Sequence, residues 1–558
     1  MILDRLFRKR RKGGGLDPDD IFLDASNLSG FDQSRLEGRL EQPVGTRTFA
    51  GIGLSVALLF LALIAQAANL QIMQGEAFAE RSERNRLRPQ VLFAERGAIV
   101  DRNGEPLVYN EEGDDGFVRR VYEHPGFAHL LGYVSYPKRD SSGNFYDTEI
   151  KGLGGIEESM NAALAGENGT LLVEEDAHGD VQSSGTVKPP VAGQTLELSI
   201  DARAQRAFAT AVAELADRIP YMGGSAVLMD IRTGEIHALV SYPEYDPNIL
   251  SSGGPSDVIA SYATNSRRVY LDRAVSGLYT PGSIAKPQVA AGALHDGIVT
   301  PGWGIVSTGS ISIPNPYDPS RPSIFKDWKA HGWVDARRAI AVSSDVYFYA
   351  VGGGYGDVKG LGIDRLKYWY DAFGYTSPTG IELSGEATGF VPTPDWKQET
   401  FDDPWRLGDT YNTSIGQYAM QVTPLAAVRA TAAVANGGML VKPTVIKDAP
   451  LQGQTIQISQ EALRVAREGM RMAATEGTSI GLNALPFVEV AGKTGTAQVG
   501  VNNEFYNSWS VGYFPYDDPK YAWAVVMERG PSTNSIGGIY VTYQALSALN
   551  RTAPEYFE

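Results

Sequence analysis

The chain has 558 residues, too many for one ordinary domain and enough for two or three. Its 65 acidic side chains against 49 basic ones give a formal charge of -16, a balance that argues against the basic stripe of a nucleic-acid-binding protein. It holds no cysteine, which excludes disulfides, thiolate metal ligands and a cysteine nucleophile and leaves serine, lysine and carboxylate groups to carry any chemistry.

Residues 1–48 combine a basic cluster (Arg8, Lys9, Arg10, Arg11, Lys12), a triple glycine and the acids Asp17, Asp19 and Asp20. This composition reads as a flexible cytoplasmic tail, with a short membrane- or partner-bound helix as the alternative. From Phe49 to Met73 the chain is almost entirely apolar, and about 20 such residues span a bilayer core. Ala65-Gln66-Ala67 resembles a signal-peptidase site, but the segment ahead of it is far longer than a signal peptide's basic region. An uncleaved transmembrane anchor over 49–73 is the expectation. Arg81, Arg84, Arg86 and Arg88 follow the span closely, so the positive-inside count is mixed. A large C-terminal part outside the cytoplasm is expected from the motifs below.

Residues 74–200 read as a small, β-rich, non-catalytic module. Arg96 to Gly104 ends in an Asn-Gly turn, a hairpin signal, and Thr195 to Ile200 alternates as a strand does. At Asp201 the character changes, and 201–558 forms the second module. Ala202 to Ala216 has helical spacing. Ser225–Met229 and Glu235–Val240 read as strands joined by a turn at Arg232-Thr233-Gly234. A helix-rich middle runs to about Asn436. Strands return near Val488–Gln498, Ser508–Tyr513 and Tyr521–Met527, and a last helix starts near Tyr540. Strands at both ends with helices between predict one sheet built from distant pieces, an α/β or α+β layer fold.

Three short motifs bear on chemistry: Ser-x-x-Lys, Ser-x-Asn/Asp and Lys-Thr-Gly. Ser-x-x-Lys occurs at Ser283/Lys286, Ser323/Lys326 and Ser135/Lys138. Ser283 follows the turn Tyr279-Thr280-Pro281-Gly282 and opens a helical stretch, where free backbone N–H groups point outward. Lys286 then lies one turn on, on the same face. Pro287 is tolerated because a first-turn N–H has no intrahelical partner to lose. The other two copies sit in proline-containing sequence. Lys493-Thr494-Gly495-Thr496 continues from the apolar run Val488–Ala491, and Gly495 would let a substrate backbone approach the strand. Ser343-Ser344-Asp345 lies between these motifs in order, whereas Ser142/Asn144 and Ser532/Asn534 are out of order. Its bland reading is a helix cap at Ser343 or Ser344.

Taken with the flanking sequence, the chain resembles the class B penicillin-binding proteins, most of all their elongation branch (the penicillin-binding protein 2 type). Besides the three motifs, the resemblance is carried by Arg96-Gly97 to Asn103-Gly104, Gly155-Ile156-Glu157, Gly193 to Gln205, Thr233-Gly234-Glu235-Ile236, Asp246-Pro247-Asn248, Gly416-Gln417, Val422-Thr423-Pro424-Leu425, Ala435-Asn436-Gly437-Gly438 and Trp509, all in family order from about residue 90 to the C-terminus.

The resemblance implies a penicillin-binding serine transpeptidase fold on a β-rich pedestal and one transmembrane helix. It implies a peptidoglycan D,D-transpeptidase that attacks the penultimate D-alanine carbonyl of a stem peptide and is acylated by β-lactams. Ser283 would be the nucleophile and Lys286 its base. That base role requires a pKa well below about 10.4, which burial and the Lys493 cation would promote. Ser343 would relay a proton to the leaving D-alanine. Lys493, Thr494 and Thr496 would hold the terminal carboxylate, and the N–H groups of Ser283 and Thr496 would form the oxyanion hole, each donor contributing about 3–4 kcal/mol. No cofactor is implied, and no Gly-rich phosphate loop with a lysine is found. No glycosyltransferase module is found either, so the resemblance implies a SEDS-type glycosyltransferase partner contacting the 49–73 helix and the 74–200 module.

Several positions depart from the family. Asp345 stands where most members carry Asn, a feature of the elongation branch; an ionised Asp only accepts hydrogen bonds and favours a protonated Lys286. It is expected either to face Lys493 or a peptide N–H, or to be protonated. Residues 105–130 are short where relatives carry a larger head. Tyr418 and Ser510 replace common Gly and Phe and are expected to reshape the cleft. His331 with Asp327 hints at a metal, but the ligand set is incomplete, and a structural histidine is the expectation. The rival readings are a β-lactamase, which the anchor and the 74–200 module argue against, and a β-lactam sensor or non-catalytic scaffold. Sensors carry several spans and a protease motif, but one span and no His-Glu-x-x-His is found here, and a scaffold would have lost a motif.

Overall fold

The computed structural model describes residues 45–113, 118–141, 145–175, 181–315, 318 and 320–558. The tail up to residue 44 and the Ser142/Asn144 pair lie outside the described residues. The chain falls into two compact units divided between Arg88 and Pro89.

In the first unit, α1 (Thr46–Ala68) continues into a π-helical turn at Asn69–Met73. No charged residue interrupts Phe49–Met73, and the side chains are exposed nearly all round. A helix apolar on every face has no water-facing side, which is the pattern of a membrane span. Thr46–Met73 has 28 residues, about 42 Å at the helical rise, so it is long and apolar enough to cross a membrane.

The second unit opens with a four-stranded sheet in the order Leu196–Glu197, Ile99–Val100, Pro106–Glu112, Val118–Tyr122. The Asn-Gly hairpin forms as read. Asp101 fixes it, one carboxylate oxygen accepting from Asn103 N and Glu105 N at 2.8 Å each. Its other oxygen accepts from Ala202 N at 3.0 Å, tying this turn to the helix Ala202–Arg218. Behind the sheet, the fully buried Glu157 accepts from Arg96 Nε at 2.6 Å and Arg120 Nε at 2.7 Å. Of the strand expected over Thr195–Ile200, only Leu196–Glu197 forms, because the residues after it turn into the helix.

The main sheet is antiparallel. Its strands are β1 (Gly223–Asp230), β2 (Ile236–Tyr242), β3 (Ala491–Val499), β4 (Phe505–Phe514) and β5 (Tyr521–Pro531), in the order β2-β1-β5-β4-β3. Pieces far apart in sequence meet here, as the strand pattern predicted. Every residue of β1 is buried. Strand alternation sends Ala226 and Leu228 to one face, with Phe208, Val212 and Leu546, and Val227 and Met229 to the other, with Leu425 and Val428. A sheet covered on both faces shows continuous apolar runs rather than alternation, which is how β1 and β5 read. The expected strand Val488–Gln498 starts only at Ala491.

The helical middle holds α2 (Lys286–His295), α3 (Ala336–Val342), α4 (Asp345–Gly353) and α5 (Gln460–Glu476). Two ribbons interrupt it: Gly304–Ser307 with Gly332–Asp335, and Ser310–Ile313 with Ser323–Lys326. The sequence reading of a helix-rich middle did not include them, since short two-stranded ribbons carry little periodicity.

Candidate active site

Three segments converge at the edge strand β3. The first is the turn Gly282–Ala285, a single 3-10 turn that runs into α2. Gly282 has a left-handed φ of 56°, and its N–H donates to Gly416 O at 2.8 Å. A Cβ on Gly416 would meet Gly282 O at 2.2 Å, so only glycine allows this approach. Pro287 occupies the first turn of α2, as expected. Ser283 is half-buried, and Lys286 is wholly buried.

The second segment is the junction of α3 and α4. Ser343 ends α3 with φ of 57°, left-handed, and Ser344 starts α4. The cap forms at Ser344, the second of the two serines. Ser344 Oγ accepts from Tyr347 N at 3.5 Å, while Ser343 faces the lysines. Lys286 Nζ donates to Ser343 O at 2.8 Å, to Ser343 Oγ at 3.3 Å and to Asp345 Oδ1 at 2.6 Å. It also lies 5.2 Å from the Phe348 ring centroid, within cation–π range. The sequence left Asp345 facing Lys493 or a peptide N–H, or protonated; the hydrogen bond its carboxylate accepts is from Lys286 instead. It pairs with Lys286, because the first turn of α4 directs its side chain to the start of α2.

The third segment is β3. Lys493 is wholly buried; its Nζ donates to Ser343 Oγ at 2.9 Å and to Thr494 O at 2.8 Å. Thr494 Oγ1 donates to Thr478 Oγ1 at 2.8 Å. Thr496 is exposed, and its carbonyl accepts from Gln417 Nε2 at 3.5 Å. Gly495 pairs with Trp509, whose Nε1 donates to Thr280 O at 3.0 Å and so ties the sheet to the Ser283 turn. A Cβ on Gly495 would meet Pro281 O at 2.7 Å and Ile284 Cγ2 at 2.9 Å. Gly495 thus permits the close approach of this turn.

Both lysines reach one hydroxyl from segments more than 200 residues apart in sequence. Burial, reinforced by the Lys286 cation, holds Lys493 well below the ordinary lysine range, and Asp345 acts in the opposite sense. Lys493 Nζ is bonded to uncharged oxygens. The arrangement places a serine hydroxyl between two buried amines, one of them three residues on from the half-buried Ser283, a layout suited to moving protons.

The other motif copies are not assembled this way. Ser135 lies in the strand Tyr133–Ser135 and Ser323 in Ser323–Lys326. Asn534 Nδ2 donates to Ile536 O, within its own turn.

The sequence profile described as the penicillin binding protein transpeptidase domain matches residues 224–544, and that of the penicillin-binding protein dimerisation domain matches 114–198. The peptidoglycan D,D-transpeptidase MrdA of Acinetobacter baumannii is 32% identical over 87% of this chain and 84% of its own length. The chain belongs to the penicillin-binding protein transpeptidase family. Among solved structures, Pseudomonas aeruginosa PBP2 in complex with WCK 5153 is similar with a TM-score of 0.67 and 29% identity, covering 83% of this chain and 96% of that one. A chain from a peptidoglycan synthase complex, described as coordinating polymerization and crosslinking, has a TM-score of 0.70 and 25% identity, covering 90% and 98%.

In this penicillin-binding protein the departures noted from sequence have distinct consequences. Ser510 does not border the cleft. It is fully buried, accepting from Trp523 Nε1 at 3.0 Å and Thr542 Oγ1 at 2.9 Å. Tyr418 has φ of 67° and stands edge-on to Trp396 and Trp405, next to the Gln417 that reaches Thr496. His331 Nε2 lies 3.4 Å from Asp327 Oδ1. Among the described residues no group of three or more His, Asp or Glu could hold a metal. Sequence reasoning missed Thr478, whose only local signal is the Gly477 before it, and the hydrogen bonding of Asp327.

Proposed function

We propose the following division of labour in this peptidoglycan D,D-transpeptidase. Ser283 Oγ attacks the carbonyl carbon of the penultimate D-alanine of a stem peptide. Its proton passes to the amine pair, with Lys286, three residues on, as the base and Ser343 Oγ linking Lys286 to Lys493. The C–N bond breaks, the proton is returned through Ser343 to the departing D-alanine amine, and an ester to Ser283 remains. The amine of a neighbouring stem then attacks that ester, forms the cross-link and gives Ser283 back its proton. The energy of the original peptide bond is kept in the ester, so the reaction needs no nucleotide.

The observation that carries this reading is the convergence of Lys286 and Lys493 on Ser343 Oγ at 3.3 and 2.9 Å. Asp345 holds Lys286 in place through their 2.6 Å ion pair. The N–H groups of Ser283 and Thr496 are assigned to the oxyanion hole. Lys493, Thr494 and Thr496, with Thr478 behind Thr494, are assigned to the donor's terminal carboxylate. The position of β3 at the sheet edge supports a stem peptide lying alongside it as a further strand. The same machinery would be acylated by β-lactams.

The proposed domains are a cytoplasmic tail to residue 48, an anchor over 49–73, a pedestal with a reduced head over 74–200, and a transpeptidase domain from 201. The anchor would cross the plasma membrane once, with the catalytic domain outside. Polymerisation of the glycan would fall to a SEDS-type glycosyltransferase partner, which the likeness to a chain of a polymerising and crosslinking complex supports; co-purification in mild detergent tests that pairing. The reaction itself is tested by D-alanine release from glycan bearing pentapeptide stems. Wild type should release D-alanine and form cross-links, and Ser283→Ala should do neither. Release by Ser283→Ala would overturn the assignment.

A further inference from the structure

Asp327 belongs to no motif, yet it is bonded directly to the turn that carries Ser343. It follows the ribbon strand Ser323–Lys326, and its side chain is fully buried. Oδ2 accepts from Ser344 Oγ at 2.8 Å, from Val346 N at 3.1 Å and from Ser307 Oγ at 3.1 Å. The backbone N–H of Asp345 donates to the same carboxylate. Oδ1 accepts from Trp328 N at 2.9 Å. The next residue, Trp328, donates its Nε1 to Val342 O at 3.1 Å. Two consecutive residues therefore hold the turn on both sides of Ser343, at Val342 before it and at Ser344 to Val346 after it.

Ser343 needs such a grip. Its φ of 57° is a left-handed conformation that a serine adopts only when its surroundings enforce it. A carboxylate among the first N–H groups of α4 satisfies donors that the helix leaves unpaired and is favoured by the helix dipole. Burial alone would raise the pKa of Asp327, but its bonds from Ser344, Asp345 and Val346 outweigh this and hold it below the usual carboxylate range.

We propose that Asp327, supported by Trp328, is the positioning residue that keeps Ser343 and Asp345 in register with Lys286 and Lys493. This rests on the role proposed for Ser343. Asp327 touches none of the groups assigned to the donor's carboxylate. Its loss should therefore slow the chemical step and leave donor binding intact. A misplacement of about 1 Å costs about 10²-fold in rate, and the bonds from the lysines to Ser343 leave less slack than that.

The test uses the full chain in detergent and a fluorescent penicillin. The concentration dependence of labelling separates the limiting acylation rate from the dissociation constant of the complex before acylation. Asp327→Asn should lower the limiting rate by about 10- to 100-fold and change the dissociation constant by less than about twofold. In a Ser343→Ala background, where the positioned hydroxyl is already gone, the same substitution should have less than about a threefold further effect. A wild-type limiting rate in Asp327→Asn, a weakened dissociation constant in place of a slowed rate, or an equal slowing in both backgrounds would each overturn the proposal. If Asp327→Asn does not fold, Ser344→Ala and Trp328→Phe decide. Slowed acylation in both supports the proposal, and wild-type rates in both overturn it. Failure of the underlying reading shows separately, as a wild-type chain that is not labelled at all.

Discussion

Lys286 Nζ and Asp345 Oδ1 are 2.6 Å apart, so the wholly buried lysine of the nucleophile turn shares its site with a carboxylate. Most of the family, by the resemblance described above, has an uncharged amide at that position. Asparagine could still accept a hydrogen bond from Lys286, but it would not stabilise a cation as a carboxylate does. The anion also opposes the depression of Lys493. Asp345→Asn should therefore acylate, with the rising limb of its pH–rate profile moved to lower pH. Acylation rates from pH 5 to 10 check this, and a limb that stays in place or moves up contradicts it.

Lys493 gives a second pH dependence. Its pKa in the folded chain lies well below the unfolded value of about 10.4. At pH below both values, folded and unfolded chains both carry the proton and the burial penalty is felt in full. As pH rises through the window between the two, the folded chain releases its proton first. The unfolded chain then binds more protons, and stability rises with pH. Lys493→Met lacks this contribution. The Tm of Lys493→Met minus that of wild type should shrink as pH is raised from 7 to 10.5. A difference independent of pH would contradict the depressed lysine.

Gly495 faces the turn that carries Ser283. An alanine Cβ would meet Pro281 O at 2.7 Å and Ile284 Cγ2 at 2.9 Å, and backbone on one side leaves little room to give. Gly495→Ala should lose about 1–3 kcal/mol of stability and slow penicillin labelling at least tenfold. Thermal melts and labelling time courses measure the two effects, and labelling at the wild-type rate would contradict the packing argument.

In the pedestal, Glu157 is buried between Arg96 and Arg120. Glu157→Ala would leave two buried guanidinium groups without their carboxylate and should cost about 3–5 kcal/mol, as breaking a buried ion pair does. Denaturant melts of the full chain in detergent test this. A loss under about 1 kcal/mol would show that backbone acceptors such as Glu157 O, bonded by Arg96 Nη2 at 2.8 Å, suffice.

The sequence made the main sheet legible because its strands are continuous apolar runs, and it made the Ser283 turn legible because Gly282, Ser283, Lys286 and Pro287 have strong local constraints. The order of Ser283, Ser343 and Lys493 along the chain was enough to select the copies whose side chains the fold brings together around Ser343. The partner of Asp345 was left open because it depends on how α4 meets the start of α2, which no local pattern encodes. Ser510 was misread because its hydroxyl is satisfied by Trp523 and Thr542 from other elements. The ribbons, and with them the bonds of Asp327 to the Ser343 turn, were invisible because two short strands and a loop have no period long enough to register.

The most direct test of the account is intact-mass measurement after penicillin treatment, followed by peptide mapping, on wild type, Ser283→Ala, Ser135→Ala and Ser323→Ala. The account predicts one adduct of the drug's mass on the peptide containing Ser283, absent from Ser283→Ala and present in the other two. An adduct that persists in Ser283→Ala, or that maps to another serine in wild type, would contradict it.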